Sequence, residues 1–442
     1  MGYSPSRLGK VQLQNQGAWG TKAAFGGSGE LQVECEVWIP TPTQELLQPN
    51  TMTGSFYAQK AQAGSKAGST FSLTMPLHGF SSSTPSGNPT MHAEAMMIYG
   101  ALGGGNSLAG YAASGAMSPT ASNTYGDYII LDDGSFAETA LGRAVLVATG
   151  TTNSVGWVRE VNNQTNYFYF WDRLGSAVTA DTTIYGSSML YLTTTQPTPL
   201  TVRWQGFDQN HALDFYDCVV TSVTLNIVPG QQPTMTCEFL AGMWEVVDHG
   251  SSLSDYDLSS LPQLPSTSAE SGGKFRVQNV AWDSTDDVFQ SRSMSSVDIT
   301  MSAEYTPSLS HSSPNGVGQY ICTNRTVTMQ YNELGDGTQG LGTELGTPGS
   351  TSTRSAGDGC HILTVNTTPG QALSIMMPVA KQKELSELSD SEGVISVSRT
   401  IEPGFVGLQG VTTGLETAKD GGGSATAATG GVENTPFRIA FL

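Results

Sequence analysis

The chain has 442 residues, of which 13% are charged and 52 are glycine. This length exceeds what one hydrophobic core usually supports, so we expect two domains of about 200 residues each, rich in β-structure and turns. The balance of 38 acidic against 19 basic residues gives a formal net charge of -19. This charge and the lack of any run of Lys or Arg exclude the class of proteins that bind nucleic acid through its phosphates.

The sequence also bears on compartment. It has neither the apolar core of a signal peptide nor the roughly 18 apolar residues of a membrane helix, so we expect no export and no membrane anchor. Five widely spaced cysteines without a CxxC pair are typical of reduced cytosolic thiols. They are Cys35, Cys218, Cys237, Cys322 and Cys360.

Strands are predicted in the first part of the chain at residues 31–39, 70–77 and 200–204. The polar stretch 40–68 between the first two is too long for an ordinary connection and is predicted to have a function. Residues 88–104 predict a short helix that docks on a sheet, with Asn88 as its cap, Pro89 in its first position, and Gly103 and Gly104 at its end. Its apolar stripe consists of Met91, Ala95, Ile98 and Leu102.

Residues 127–195 predict a small β unit inserted into the first domain. Its alternating positions include Trp157, Arg159 and Val161, and then Tyr167, Tyr169 and Trp171.

A long hairpin with one apolar and one polar face is predicted within residues 214–247. Its apolar positions are Val219, Val223, Leu225, Ile227, Met235, Cys237 and Phe239. Prolines 229 and 233 and Gly230 predict the turn. A turn centred near Gln231 sets Cys237 opposite Leu225.

Residues 248–274, rich in Ser, Pro, Gly and Asp, predict a linker between a first domain at 1–250 and a second at 275–442. A second long hairpin follows at 295–307 and 323–331, with later strands at 362–365, 372–377, 394–398 and 436–442. The second half offers one weak helical segment, 381–388. Self-similarity between the halves is too low to establish a duplication.

The sequence provides no argument for an enzyme, a metal site or a cofactor. Residues 335–340 match GxGxxG but no helix follows to bind a pyrophosphate. Cys360 and His361 are neighbours on a strand and point to opposite faces, so they cannot readily share an ion. The acidic pairs at 132–133 and 286–287 occupy turn-like contexts, with general acid or base chemistry as the alternative.

Several segments resemble the tail tube proteins of bacteriophages with long, non-contractile tails. They are "SRLGKVQLQNQGAWGT", "NPTMHAEAMMIYGALGG", the unit from "ALGRAVLVATG" to "DTTIYGSSMLYL", "CVVTSVTLNIVPGQQPTMTCEFLAGMW" and "RIAFL". The likeness covers most of residues 1–250.

The resemblance implies a mainly β protein with two tail-tube-type β-sandwich or β-barrel domains, whose long hairpins join into a closed ring barrel. Three such double-domain chains imitate a hexameric ring, and the rings stack through loops 40–68 and 404–436. The implied partners are further copies, a tape measure protein, the tail terminator and distal tail proteins, and double-stranded DNA in transit. The implied location is the virion tail, assembled in the host bacterial cytoplasm.

Under this interpretation the polar face of the hairpins lines the lumen. The predicted lumen residues are Thr224, Asn226, Thr236, Glu238, Asp298, Thr300, Ser302, Glu304, Thr328 and Gln330. The alternative is a baseplate or fibre protein that stacks Tyr167, Tyr169 and Trp171 on host glycans. A tube protein forms rings or tubes by itself, whereas an adhesin stays a discrete oligomer.

Overall fold

The fold is described from a computed structural model. The described residues are 9–25, 30–44, 46–47, 62–63, 68–79, 92–103, 105–107, 119–122, 128–131, 141–148, 153–162, 167–172, 174, 178, 183–206, 210–248, 274–278, 290–291, 294–311, 313, 316–334, 359–383, 387–391, 394–404, 417–419, 425–426 and 435–442.

The described part of the chain contains one helix, α1 (Ala93–Leu102), and 28 strands. The strands are β1 (Lys10–Asn15), β2 (Leu31–Val33), β3 (Leu46–Leu47), β4 (Gln62–Ala63), β5 (Thr70–Pro76), β6 (Gly105–Ser107), β7 (Pro119–Ser122), β8 (Tyr128–Leu131), β9 (Ala144–Ala148), β10 (Asn153–Asn162), β11 (Tyr167–Phe170), β12 (Thr183–Tyr185), β13 (Ser188–Tyr191), β14 (Leu200–Gln205), β15 (His211–Ile227), β16 (Thr234–Leu240), β17 (Met243–Asp248), β18 (Lys274–Gln278), β19 (Gln290–Ser291), β20 (Met294–Leu309), β21 (Val317–Leu334), β22 (Gly359–Thr364), β23 (Leu373–Gln382), β24 (Glu387–Ser391), β25 (Val394–Pro403), β26 (Thr417–Lys419), β27 (Ala425–Thr426) and β28 (Arg438–Phe441).

The prediction of a mainly β protein with one short helix is confirmed. Eighteen strands form one large antiparallel sheet, eight form a second sheet, and β3 and β4 form a separate pair inside the predicted loop 40–68. The strand predicted at 31–39 ends at Val33. Residues 40–44 and 68 of loop 40–68 are also described, whereas the rest of that loop and most of loop 404–436 lie outside the described residues.

The two halves of the large sheet use the same order of strand pairing. In the first half β1 pairs with β2 and β14, β14 with β15, β15 with β16 and β17, and β16 with β5. In the second half β18 pairs with β19 and β22, β22 with β23, β23 with β25 and β28, and β25 with β21. The two series match strand for strand in chain order. The pairing therefore shows a repeat that the residues alone did not establish.

The long strand β15 changes both of its neighbours along its length. The first part of β15 lies between β14 and β17, and its second part lies between β16 and β20. The change occurs at a bulge next to Asp217, which adopts a left-handed conformation with φ of 54°. Gln16 holds this bend, because its Oε1 accepts the Asp217 N–H at 2.9 Å and its Nε2 donates to Asp217 Oδ1 at 2.5 Å. Such a bulge re-aims a strand.

The halves are joined edge to edge. β15 of the first half pairs with β20 of the second from Ser222 opposite Ser302 to Ile227 opposite Val297. The C-terminal strand β28 pairs with both β23 and β13. Of the predicted linker 248–274, only Asp248 and Lys274 are among the described residues. The domain boundaries stay predictions.

The helix differs from its predicted start. It begins at Ala93 with His92 in the cap position, while Asn88, Pro89 and Met91 lie outside the described residues. It ends as predicted, at a left-handed Gly103. Every residue from Ala93 to Ile98 is buried, so the helix is packed on more than its predicted stripe. No helix in the described ranges has the length and apolar character that crossing a bilayer requires.

The second sheet runs in the order β12, β9, β10, β11, β8, β7 and has its own apolar core. Its strands come mainly from the predicted inserted unit 127–195, but β7, β26 and β27 come from outside that range, and β13 belongs to the large sheet. The prediction of a weak helix at 381–388 is wrong, because residues 381–382 belong to β23 and residues 387–388 belong to β24.

Candidate functional site: a polar sheet face

Six neighbouring strands of the large sheet share a polar face. Their order is β5, β16, β15, β20, β21 and β25, all antiparallel. In the two long hairpins apolar and polar residues alternate, so one side of the sheet is dry and the other is wet. On the dry side, Leu225, Ile299 and Met329 are fully buried in the main core.

A row of five threonines crosses this face at right angles to the strands. Its members, in strand order, are Thr74, Thr236, Thr224, Thr300 and Thr328. The hydroxyl oxygens of Thr74 and Thr236 lie 3.2 Å apart, and those of Thr224 and Thr300 lie 3.3 Å apart. Cross-strand hydroxyl pairs of this kind stabilise a sheet by roughly 0.2–1 kcal/mol each.

A second row carries amides and an acid. It runs through Thr234, Asn226, Asp298, Gln330 and Thr400. Asn226 Nδ2 donates to Asp298 Oδ1 at 2.6 Å, and Gln330 Nε2 donates to the Ser398 hydroxyl at 3.3 Å. The amides are thus oriented by partners along the surface.

A third row consists of Ser72, Glu238, Ser222, Ser302 and Thr326. With Glu238, Asp298, Glu304 and Glu402, the face carries four acidic residues.

The basic residues of the six strands do not face the polar side. These strands contain two, Arg325 and Arg399. Arg399 is 1% exposed, and Arg325 stands opposite buried Ala303 and donates to the carbonyls of Thr193 and Thr195 at 3.2 and 2.8 Å. The nearest basic residue in register is Lys381 of β23, opposite Glu402. The potential over the described face is therefore negative.

The ten predicted lumen residues lie together on this face. All ten are partly or fully exposed and alternate with core residues. The predicted set of ten left out other residues of this face: Ser72 and Thr74 on β5, Ser222 on β15, Thr234 on β16, Thr326 on β21, and Thr400 and Glu402 on β25. The alternation of the strand at 70–77 was visible, but its position beside β16 depends on a long-range pairing.

The turn of the first hairpin is centred one residue earlier than predicted. Gly230 has φ of 79°, and the Gln231 N–H donates to the Val228 carbonyl at 3.0 Å. Leu225 therefore stands opposite Met235, and Cys237 opposite Val223. Moving the centre by one residue shifts the pairing by two positions, so the faces stay as predicted.

The dry side offers little chemistry. Burial raises the pKa of the Cys218 and Cys237 thiols well above their usual value, which keeps both protonated and unreactive. Cys360 packs among apolar residues, whereas the neighbouring His361 ring lies 6.0 Å from the Tyr331 ring. No three His, Cys, Asp or Glu side chains of the described residues lie where they could hold one metal ion. The GxGxxG segment and both acidic pairs lie outside the described residues.

The aromatic residues of the alternative interpretation divide between two environments. Trp171 is buried at 4% exposure, whereas Tyr169 is 36% exposed. Tyr167 and Tyr169 stack with centroids 5.8 Å apart, and Tyr128 lies 5.0 and 5.5 Å from them. The predicted surface of Tyr167, Tyr169 and Trp171 is therefore not formed, and a tyrosine cluster lies there instead.

A scan against protein-family models finds no family that matches the chain, and a search of curated proteins finds no significant relative. Function is therefore inferred from the polar face and from the sequence resemblance.

Proposed function

We propose that the protein is a structural subunit that self-assembles into stacked rings and forms the tail tube of a long, non-contractile bacteriophage tail. The observation that carries the proposal is the six-stranded polar-faced sheet, which runs across both halves of one chain through the junction of β15 and β20. A sheet that is already continuous over two similar halves can continue through further copies.

Closure of such a sheet into a barrel removes its exposed edges. Polar residues then line the interior, and the apolar side stays packed in the main core, which includes α1. In this arrangement the ten predicted residues face the lumen.

The repeat suggests which edges meet between copies. In the second half, the end of β23 and then β24 pair with β25, in the position that the second part of β15 has beside β16 in the first half. No described strand pairs with the other edge of β24. In the first half, the segment 34–44 takes the position that β20 takes in the second, and the Glu36 N–H donates to the Thr74 carbonyl at 2.7 Å. We infer that β24 of one copy meets segment 34–44 of the next.

Exposed apolar side chains support this assignment. Val37 is 58% exposed, Ile39 is 62% exposed and Leu388 of β24 is 45% exposed. Pairing of these edges would cover surface that is otherwise unfavourable in water.

The charge of the face suits passage of double-stranded DNA. Its acidic residues and hydroxyls offer phosphates no cation to bind, so DNA slides without sticking. Three chains, each with two similar halves, give six repeats per ring. The tape measure protein fills the tube before DNA, and the tail terminator and distal tail proteins close its ends, in the virion tail.

Negative-stain electron microscopy and analytical ultracentrifugation over a concentration series test the proposal. We expect threefold rings with a central hole, or stacked tubes. Compact particles without a hole at every concentration would contradict it. Binding of such particles to host glycans, lost on replacement of Tyr169 by Ala, would favour the fibre or baseplate alternative.

A further inference from the structure

A buried histidine links two carboxylates at the end of β5. His78 is fully buried; its Nδ1 lies 2.5 Å from Glu94 Oε1, and its Nε2 lies 2.9 Å from Glu34 Oε2. Glu94 belongs to the first turn of α1, and Glu34 follows β2 directly. The ring therefore connects the sheet end to the helix and to the start of segment 34–44.

This geometry requires a particular protonation state. Both ring nitrogens face carboxylate oxygens, and only the imidazolium can donate from both. Burial lowers the pKa of His78, but the hydrogen bonds and charges of Glu94 and Glu34 outweigh it and raise the pKa above its ordinary value. Loss of the proton leaves one lone pair facing a carboxylate.

Other titratable groups lie around this ring and its two carboxylate partners. His92, in the cap of α1, donates from Nε2 to the His78 carbonyl at 3.2 Å and lies 3.7 Å from Glu94 Oε2, and burial lowers its pKa. Burial disfavours the Glu94 carboxylate, yet the neighbouring His92 and His78 hold its pKa below the ordinary value. Beyond Glu34 follow Cys35, whose pKa burial raises to about 11 with help from Glu34 and Glu36, and then Glu36 itself.

The two carboxylates differ in what they can do when the proton leaves. Glu94 has a side chain 2% exposed and has no access to water, whereas Glu34 is 28% exposed. Because an ionised carboxylate is costly to bury without a partner, the bond to Glu34 is the one that opens toward solvent.

Opening at Glu34 acts on the segment that follows it. Glu36 bonds the edge of β5, and the Trp38 ring stacks on Phe71 with centroids 4.9 Å apart. We propose that the Glu34, His78 and Glu94 chain is a proton-controlled latch that holds segment 34–44 against β5 and releases it when His78 loses its proton. Its effect on assembly rests on the proposed function, whereas the local opening does not.

Hydrogen exchange of the peptide containing residues 34–44, corrected for intrinsic rates, tests the latch over a pH series. When the pKa of a histidine is higher in the closed state than in the open state, its proton stabilises the closed state fully at a pH below the open-state pKa. This stabilisation is lost as the pH rises from the open-state pKa to the closed-state pKa. The opening equilibrium should therefore increase by up to about tenfold per pH unit above the ordinary histidine pKa of about 6.5, and level off at the raised pKa.

Three variants separate the latch from general destabilisation. His78→Gln cannot carry the charge and should leave the segment open at every pH. Glu34→Gln can either donate to or accept from the ring, so it should keep the segment protected while removing the pH dependence. His211→Gln, at an exposed position of β15, should behave like the parent protein.

A parent protein whose exchange in this segment does not respond to pH would overturn the latch, as would Glu34→Gln with an unchanged response. If the protein gives one of these two results but still forms rings, the latch is rejected and the proposed function is not. A pH-dependent segment in a protein that never forms rings would uphold the latch and reject the tube.

Discussion

Asn226 and Asp298 face each other across the junction of the two halves, with Asn226 Nδ2 donating to Asp298 Oδ1 at 2.6 Å. The bond joins the first long hairpin to the second on the polar face. It makes that face one surface, so a change of charge on either hairpin alters the same local potential.

Reversal of charge on this face should create DNA binding. We expect Glu238→Lys combined with Glu304→Lys to retain assembly but bind linear double-stranded DNA, with affinity falling steeply as salt increases. Glu30→Lys combined with Asp248→Lys makes the same change in net charge outside the face. Fluorescence anisotropy over a salt series measures both, and equal binding by the two variants would argue against a lumen.

Charges at the inferred contact between copies should prevent assembly. Val37→Lys combined with Ile39→Lys puts two cations on exposed apolar positions, so we expect monomers whose melting temperature is close to that of the parent chain. Val246→Lys, at a position 62% exposed on β17, serves as the control and should assemble. Sedimentation velocity measures the outcome. Normal rings from the double variant would exclude this edge.

The junction of β15 and β20 should also stabilise the isolated chain. Ile299 is fully buried opposite Leu225, so Ile299→Ala should lower the free energy of unfolding by about 2–5 kcal/mol. Ile395→Ala, at a position 63% exposed, should change it by less than about 0.5 kcal/mol. Urea denaturation compares the two, and similar values would show that the junction is not packed.

A buried ion pair between β14 and the first part of β15 should be sensitive to neutralisation. Arg203 donates to both carboxylate oxygens of Asp214, at 2.6 and 2.7 Å. Asp214→Asn leaves the guanidinium without its counter-charge and should cost about 3–5 kcal/mol of stability. Lys22→Ala removes a half-exposed ammonium that pairs with Glu245 and lies 3.8 Å from Asp214 Oδ2; it leaves both Arg203 bonds in place and should cost about 1 kcal/mol or less. Denaturant unfolding distinguishes the two.

The thiols should react in two classes in the unassembled protein. Cys218, Cys237 and Cys360 are buried, and the first two have raised pKa values, so they should react with a disulfide reagent only after unfolding. Cys35 and Cys322 are both partly exposed, but burial, with help from Glu34 and Glu36, raises the pKa of Cys35 to about 11, so Cys322 should give the fast phase of the native state. Loss of the fast phase in Cys322→Ser confirms the assignment; a fast phase that survives would refute it.

Local patterns in the sequence were sufficient to predict which hairpin residues lie on the polar face and which on the apolar face. The alternation at Leu225 and Thr224 depends only on neighbours along the chain, so a turn misplaced by one residue did not change which side is polar. The pairing of Thr74 with Thr236 joins positions 162 residues apart. No local pattern specifies that contact, and the same is true of the repeat between halves.

Two other differences have physical reasons. Trp171 follows the alternation of Tyr167 and Tyr169, but it lies beyond the end of β11 and packs into the core between the sheets. Glu94 and His78 are polar residues in apolar surroundings, and their burial is possible because each has a charged partner. The sequence contains both residues but not the contact that allows them to be buried.

The bend at Asp217 has a mechanical consequence. Because β15 runs from between β14 and β17 to between β16 and β20, the covalent backbone itself connects these two groups of strands. A force applied to the polar-faced strands is therefore transmitted to β14 and β17 through peptide bonds and needs no side-chain contact. β23 passes in the same way from β22 and β28 to β25, so each half has one such covalent link.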